Sequence, residues 1–219
     1  MMLIIFSDLF GLGGCVESII VGVTGASGAV YAQRLLRFLC KREYNIHLAI
    51  SDAAFLVIRH ELYVDLDRHQ PNFRDFLGFS ADNITYYHNA DIGATIASSR
   101  YPIKAMVIVP CSTNTLCSVA YGISSNLIQR AAGITIKERR DLVVVPRETP
   151  LSSIHLEAMQ RLSSAGACIL PAMPGFYHRP QAIEDQVDFV VAKILDVLRI
   201  PHTLVPEWHS AELLGIEDK

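Results

Sequence analysis

The chain has 219 residues, 51% of them hydrophobic, and 19 Lys and Arg against 22 Asp and Glu give a formal net charge of -3. That length supports one substantial domain with a real core. The slightly acidic balance argues against a general nucleic-acid binder, and the positive mean hydropathy predicts apolar surface buried between copies of the chain.

Residues 1–18 are partly apolar but lack a basic start and are interrupted by Asp8 and Glu17. They predict neither a signal peptide nor a membrane span and read as an extension that need not be ordered. Residues 19–23 are a β-branched apolar run, hence a strand. Thr24-Gly25-Ala26-Ser27-Gly28 reads as a tight turn. Helical spacing over 29–42 offers Val30, Leu35, Leu36, Phe38 and Leu39 to a core. A second strand spans 46–50, and Ser51-Asp52 predicts the cap of the next helix. This β-turn-α-β unit predicts a parallel sheet. Residues 65–100 are polar, with Pro71, Gly78 and Gly93, and read as an irregular excursion. A buried strand over 105–109 runs into Pro110-Cys111-Ser112-Thr113-Asn114-Thr115 and a helix over 116–121; a short helix follows over 126–132. Leu142-Val143-Val144-Val145 reads as another buried strand. Arg147 and Glu148 follow it as a charged pair at a strand's carboxyl end, where open α/β sheets bind ligands. Thr149-Pro150 reads as a helix start with Pro first. The last elements are a helix over 151–163 closed by Gly166, a strand over 168–170 and an amphipathic helix over 183–199. The alternation is that of a single-domain, doubly wound α/β sheet.

Three strand ends carry glycine or small hydroxyls: residues 24–28, Ser51, and Ser112 to Thr115. Placed on one edge of a parallel sheet, helix-start N–H groups beside hydroxyls make a site for a phosphate-bearing, nucleotide-like cofactor. Gly22, Gly25 and Gly28 do not form a dinucleotide fingerprint, although Asp52 keeps a nicotinamide reading open. There is no Walker A pattern. Glu61, one helix beyond Ser51, reads equally as an exposed carboxylate or a functional one. A Pro-rich loop after the last strand can present the Tyr177 hydroxyl to a phosphate or an oxyanion. His155 and His178 lack metal-ligand spacing and read as structural, and Lys193 reads as solvated. The five cysteines, Cys15, Cys40, Cys111, Cys117 and Cys168, also lack metal spacing. They predict core thiols of a reduced, cytoplasmic protein and no metal.

The segments GVTGASGAVYAQRLL, SDAA, PCSTNTL, NLIQRAAGITIKERRDLVVVPRETPLSSIHLEAM and PAMPGFYHRP occur in that order. Together they resemble the UbiX-like flavin prenyltransferases over about residues 19–200, with 201–219 as a tail. The resemblance implies a flavodoxin-like or Rossmann-like fold that binds FMN. It implies transfer of a dimethylallyl group from dimethylallyl monophosphate to reduced FMN, closing a ring between flavin N5 and C6. The product would serve a partner UbiD-type decarboxylase. By the same resemblance Gly25, Ala26, Ser27, Ser51, Ser112, Thr113, Asn114, Thr115 and Arg147 face the flavin. Tyr177 and Lys193 contact the prenyl phosphate. Arg130 and Lys137 reach that phosphate across subunit contacts of a homo-oligomer, typically a dodecamer in the family. Ser27, Glu61 and Glu148 take part in proton transfer, with Lys137 supporting the leaving phosphate, and Trp208 matches a tail tryptophan. Two features depart from the pattern: Ser99-Arg100 stands where Gly-Ser is common, in a substrate-side loop, and Lys193 stands where Arg is common. An FMN-dependent cysteine-type decarboxylase and a non-catalytic flavin carrier are the alternatives. The former should carry a His base and an Asn-containing motif that the chain lacks.

Overall fold

The computed structural model describes residues 16–206. Cys15, Trp208, and the rest of the expected extension and tail lie outside the described residues.

Six strands form one parallel sheet: β1 (Glu17–Val23), β2 (Tyr44–Ile50), β3 (Ile84–His88), β4 (Ala105–Cys111), β5 (Asp141–Pro146) and β6 (Cys168–Ile169). Their spatial order is β3-β2-β1-β4-β5-β6. This is the Rossmann-like arrangement, with its topological switch between β1 and β4. The central strands bear apolar residues at successive positions because both sheet faces are covered, and alternate residues of one strand enter different cores. Ile19, Val21 and Val23 pack with α1 (Ala29–Leu39), α2 (Asp52–Leu62), α3 (Phe73–Leu77) and α7 (Ile183–Val197). Ile20, Met106, Ile108, Leu142 and Val144 pack on the other face with α4 (Thr113–Ala120), α5 (Leu127–Lys137) and α6 (Ser153–Ser164).

Three expectations need correction. The excursion over 65–100 contains α3 and β3, and β3 pairs with β2 in the register Ile46↔Ile84 to Ile50↔His88. Its alternation is weak because an edge strand has one partner and its side chains stay half-exposed. Pro150 does not start a helix: the Thr149-Pro150 peptide is cis, and α6 begins at Ser153 with Ser152 as its cap. The first strand begins at Glu17, inside the segment assigned to the extension.

Candidate functional site

Adjacent strand ends bring the polar segments to one edge of the sheet. Thr24 ties β1 to β4: its hydroxyl donates to the Pro110 carbonyl at 2.8 Å and accepts from the Ser112 N–H at 2.7 Å. Thr24 is buried, so both bonds form away from water. Sequence reasoning took Thr24 only as the start of a turn; the signal was a hydroxyl at the last position before the glycine pair. Gly25 lies against the first turn of α2, where an added Cβ would come within 2.4 Å of the Ala53 Cβ. The absent side chain is therefore a packing requirement. Gly28 sits at φ 109°, a left-handed conformation that suits glycine.

The two other helix starts on this edge are capped by their own serines. The Ser51 side chain accepts from the Ala54 N–H at 3.2 Å, and Ser112 Oγ accepts from the Thr115 N–H at 3.3 Å. The α1 start has no side-chain cap of its own. Glu61, from the end of α2, fills that role and accepts from the Gly28 and Ala29 N–H groups at 2.9 Å. A carboxylate at a helix amino end is favoured by the helix dipole and by the amides that would otherwise lack acceptors. The expectation that the α1 amides are available to an anion is thereby corrected. Glu61 stands beside the turn that carries Ser27, and Ser27 is exposed.

Arg147 reaches across from the end of β5 and donates through Nε to the Ser27 carbonyl at 3.2 Å. Glu148 does not pair with it; its Oε1 accepts from the Thr149 N–H at 3.0 Å. Both side chains are half-buried, and the charged pair read from the sequence does not form an ion pair with itself. Tyr31, in the first turn of α1, stands close to the same guanidinium. Burial pushes its hydroxyl above the usual tyrosine range while Arg147 opposes that rise. Ser112 and Thr113 are half-buried and Asn114 is exposed. Thr115 and Ala26 are buried, at 6% and 5% exposure, so they shape the loops from inside. Asp52 is exposed and lies 3.7 Å from Arg68. Hydroxyls, two helix amino ends, one guanidinium and the glycine-walled floor match the phosphate and polar edge of a flavin mononucleotide.

The residues expected at the prenyl phosphate fall into two separate places. Arg130 and Lys137 line a cleft of about 700 Å³ with Ser98, Ser99, Ile123 and Ser124. Seven residues apart, they lie two turns along one flank of α5. Lys137, at the end of α5, ion-pairs with Glu138 at 3.2 Å. It lies just before β5 starts at Asp141, hence near the amino edge of the sheet, away from the strand ends described above. Tyr177 and Lys193 belong to the opposite face. The loop after β6 is fastened beside the end of β5 by the Ala172 N–H to the Pro146 carbonyl at 3.0 Å. Tyr177 then packs edge-on against Phe189 of α7, ring centroids 5.6 Å apart. A Cβ on Gly175 would lie 2.9 Å from Tyr177 Cε1 and 3.1 Å from Phe189 Cζ, so that glycine admits the pair. Lys193, one turn beyond Phe189, is exposed as expected and pairs with Asp196 at 3.0 Å. His178 stacks on Phe189 at 5.2 Å. His155 is structural, forming the α6 capping box with Ser152.

A model of the Flavoprotein family matches residues 16–205. The flavin prenyltransferase UbiX of Pseudomonas aeruginosa is 50% identical over 205 residues, covering 92% of this chain and 98% of that protein. The chain belongs to the UbiX flavin prenyltransferase family. The crystal structure of AnUbiX in complex with FMN and dimethylallyl pyrophosphate superposes with a TM-score of 0.79 at 35% identity, covering 89% of this chain and 98% of that one. A dodecameric FMN-dependent UbiX-like decarboxylase from Escherichia coli O157:H7 also gives 0.79, at 38% identity, covering 89% and 100%. No helix among the described residues is long and apolar enough to cross a membrane.

Proposed function

We propose that this chain transfers a dimethylallyl group from dimethylallyl monophosphate to N5 and C6 of reduced FMN, making the prenylated flavin used by a UbiD-type decarboxylase. The observation that carries this reading is the convergence of the 24–28 turn, Ser51, Ser112 and Arg147 on one sheet edge in a chain of this family. Gly25, Ala26, Ser27, Ser51, Ser112, Thr113, Asn114 and Arg147 hold FMN, with Thr115 acting through the Ser112 cap. Reduced FMN, when bound, supplies the nucleophilic ring positions.

The protein's part is to position the donor and stabilise the departing phosphate. Arg130, Lys137, Tyr177 and Lys193 supply positive charge and a hydroxyl donor at the phosphate as its negative charge grows. Since one chain places the first two and the last two on different sheet faces, the full set is assembled between copies of a homo-oligomer, a dodecamer in this proposal. Glu148 carries a proton at the phosphate end. Ser27 and Glu61 form the relay beside the flavin, with the Glu61 carboxylate held in place by the α1 amides. The setting is cytoplasmic, in keeping with the free thiols of Cys40, Cys111, Cys117 and Cys168.

The test is anaerobic incubation of the protein with reduced FMN and dimethylallyl monophosphate, followed by mass measurement of the extracted flavin. A gain of one prenyl unit is expected. Unmodified FMN with binding intact would overturn the transferase and leave a flavin carrier.

A further inference from the structure

The cleft holding Arg130 and Lys137 is lined by α5, by Val119 and residues 122–124, and by the segment 97–99, which continues into a turn over 98–101 closed by the Tyr101 N–H to the Ser98 carbonyl at 3.1 Å. Arg140 joins α5 to this turn. Its backbone N–H is fastened to α5 through the Thr135 carbonyl at 3.0 Å. Its half-buried guanidinium spans to the turn, donating to the Ser99 carbonyl at 2.7 Å and to the Tyr101 carbonyl at 2.8 Å. Arg140 thus ties the turn to α5 across the length of one arginine side chain. A planar guanidinium grips two carbonyls at fixed angles; an ammonium cannot.

The turn is also anchored from beneath. The Tyr101 hydroxyl bonds His47 Nε2 at 2.9 Å, and the Tyr87 hydroxyl bonds His47 Nδ1 at 3.1 Å. His47 is buried on β2, so both of its nitrogens are satisfied inside the protein by residues of two other segments. Neither Arg140 nor His47 lines the cleft. Both act on the turn that carries Ser99-Arg100, Arg140 through its backbone carbonyls and His47 through the Tyr101 hydroxyl.

We propose that Arg140 and the His47–Tyr101 pair are positioning residues that hold the 98–101 turn and so set the width of the Arg130–Lys137 cleft for the prenyl phosphate. This rests on the reading of that cleft as part of the phosphate site.

The experiment uses the FMN-loaded full-length protein and compares wild type with Arg140→Lys, Tyr101→Phe and Lys137→Ala. For each it measures KM for dimethylallyl monophosphate, kcat, FMN affinity and the thermal midpoint. Arg140→Lys is expected to raise KM about tenfold and Tyr101→Phe about threefold, with kcat and FMN affinity near wild type, as for loss of a charged and a neutral hydrogen bond. A raised KM in Lys137→Ala, with KM unchanged in both turn variants, overturns the positioning role. So does a parallel loss of FMN affinity in the turn variants, which would make the anchor a general element of the fold. An unchanged KM in Lys137→Ala overturns the proposal on a different ground, because the cleft then does not serve the phosphate.

Discussion

The edge proposed to hold the flavin and the residues proposed at the prenyl phosphate are built on different terms. At the former, contacts within one chain join the parts: Thr24 bridges β1 and β4, Ser51 and Ser112 cap their own helices, and Arg147 crosses to the Ser27 carbonyl. The expected phosphate residues are split between α5 on one sheet face and the Tyr177–α7 region on the other. A site made between copies exists only in the assembly, so under the proposed arrangement assembly and donor binding would be coupled.

The largest expected effect falls on the proton-transfer group. Glu148→Gln should keep FMN and lower turnover by about a hundredfold or more, read from the mass of the extracted flavin over time; full turnover would remove Glu148 from the scheme. The split is tested next by mixing. Lys137→Ala and Tyr177→Phe subunits should each be impaired alone, by about tenfold or more in KM for the donor. Co-assembled at equal amounts, they should recover activity at about a quarter of the sites if each site draws on two copies. No recovery in a verified mixed oligomer would mean that each chain completes its own site.

Smaller effects separate the two regions. Thr24→Val should destabilise the protein by about 1–3 kcal/mol and weaken FMN binding, because the Ser112 N–H and the Pro110 carbonyl lose a buried partner. Thermal unfolding and flavin titration would show both. Gly175→Ala should cost about 1–3 kcal/mol by crowding Tyr177 and Phe189, raising KM for the donor while sparing FMN affinity. The smallest effect is a pH dependence. Burial holds the His47 imidazole below its ordinary value of 6.5, and its hydrogen-bond partners are the Tyr87 and Tyr101 hydroxyls. The unfolded chain therefore binds this proton more readily than the folded one. The stabilisation is complete above 6.5 and declines as pH falls through 6.5 toward the depressed folded value. Thermal midpoints measured from about pH 7.5 down to about pH 5 should fall, and less steeply in His47→Gln.

Several site positions were legible because their signals are local. A β-branched run followed by a glycine turn, or by Ser51 or Ser112 ahead of helical spacing, is a short-range pattern that reads without tertiary information. The relation of Glu61 to the Gly28 and Ala29 amides was not legible, since it joins residues 33 and 32 apart that only the packing of α2 beside α1 brings together. Nor was the role of Thr24, whose partners Pro110 and Ser112 lie 86 and 88 residues away.

The amino-acid sequence by itself determined the βα alternation, the parallel sheet, the Ser51 helix cap and the family, because periodicity, local capping and motif order are properties of neighbouring residues. Tertiary structure decided that Ile84–His88 joins the sheet edge, that α6 starts after Pro150, and that Arg147 bonds the turn at Ser27 instead of Glu148. It also decided that Arg130 and Lys137 stand apart from Tyr177 and Lys193. Strand pairing, side-chain reach and the face a helix covers depend on contacts between segments far apart in the chain, and those are settled only when the sheet has formed.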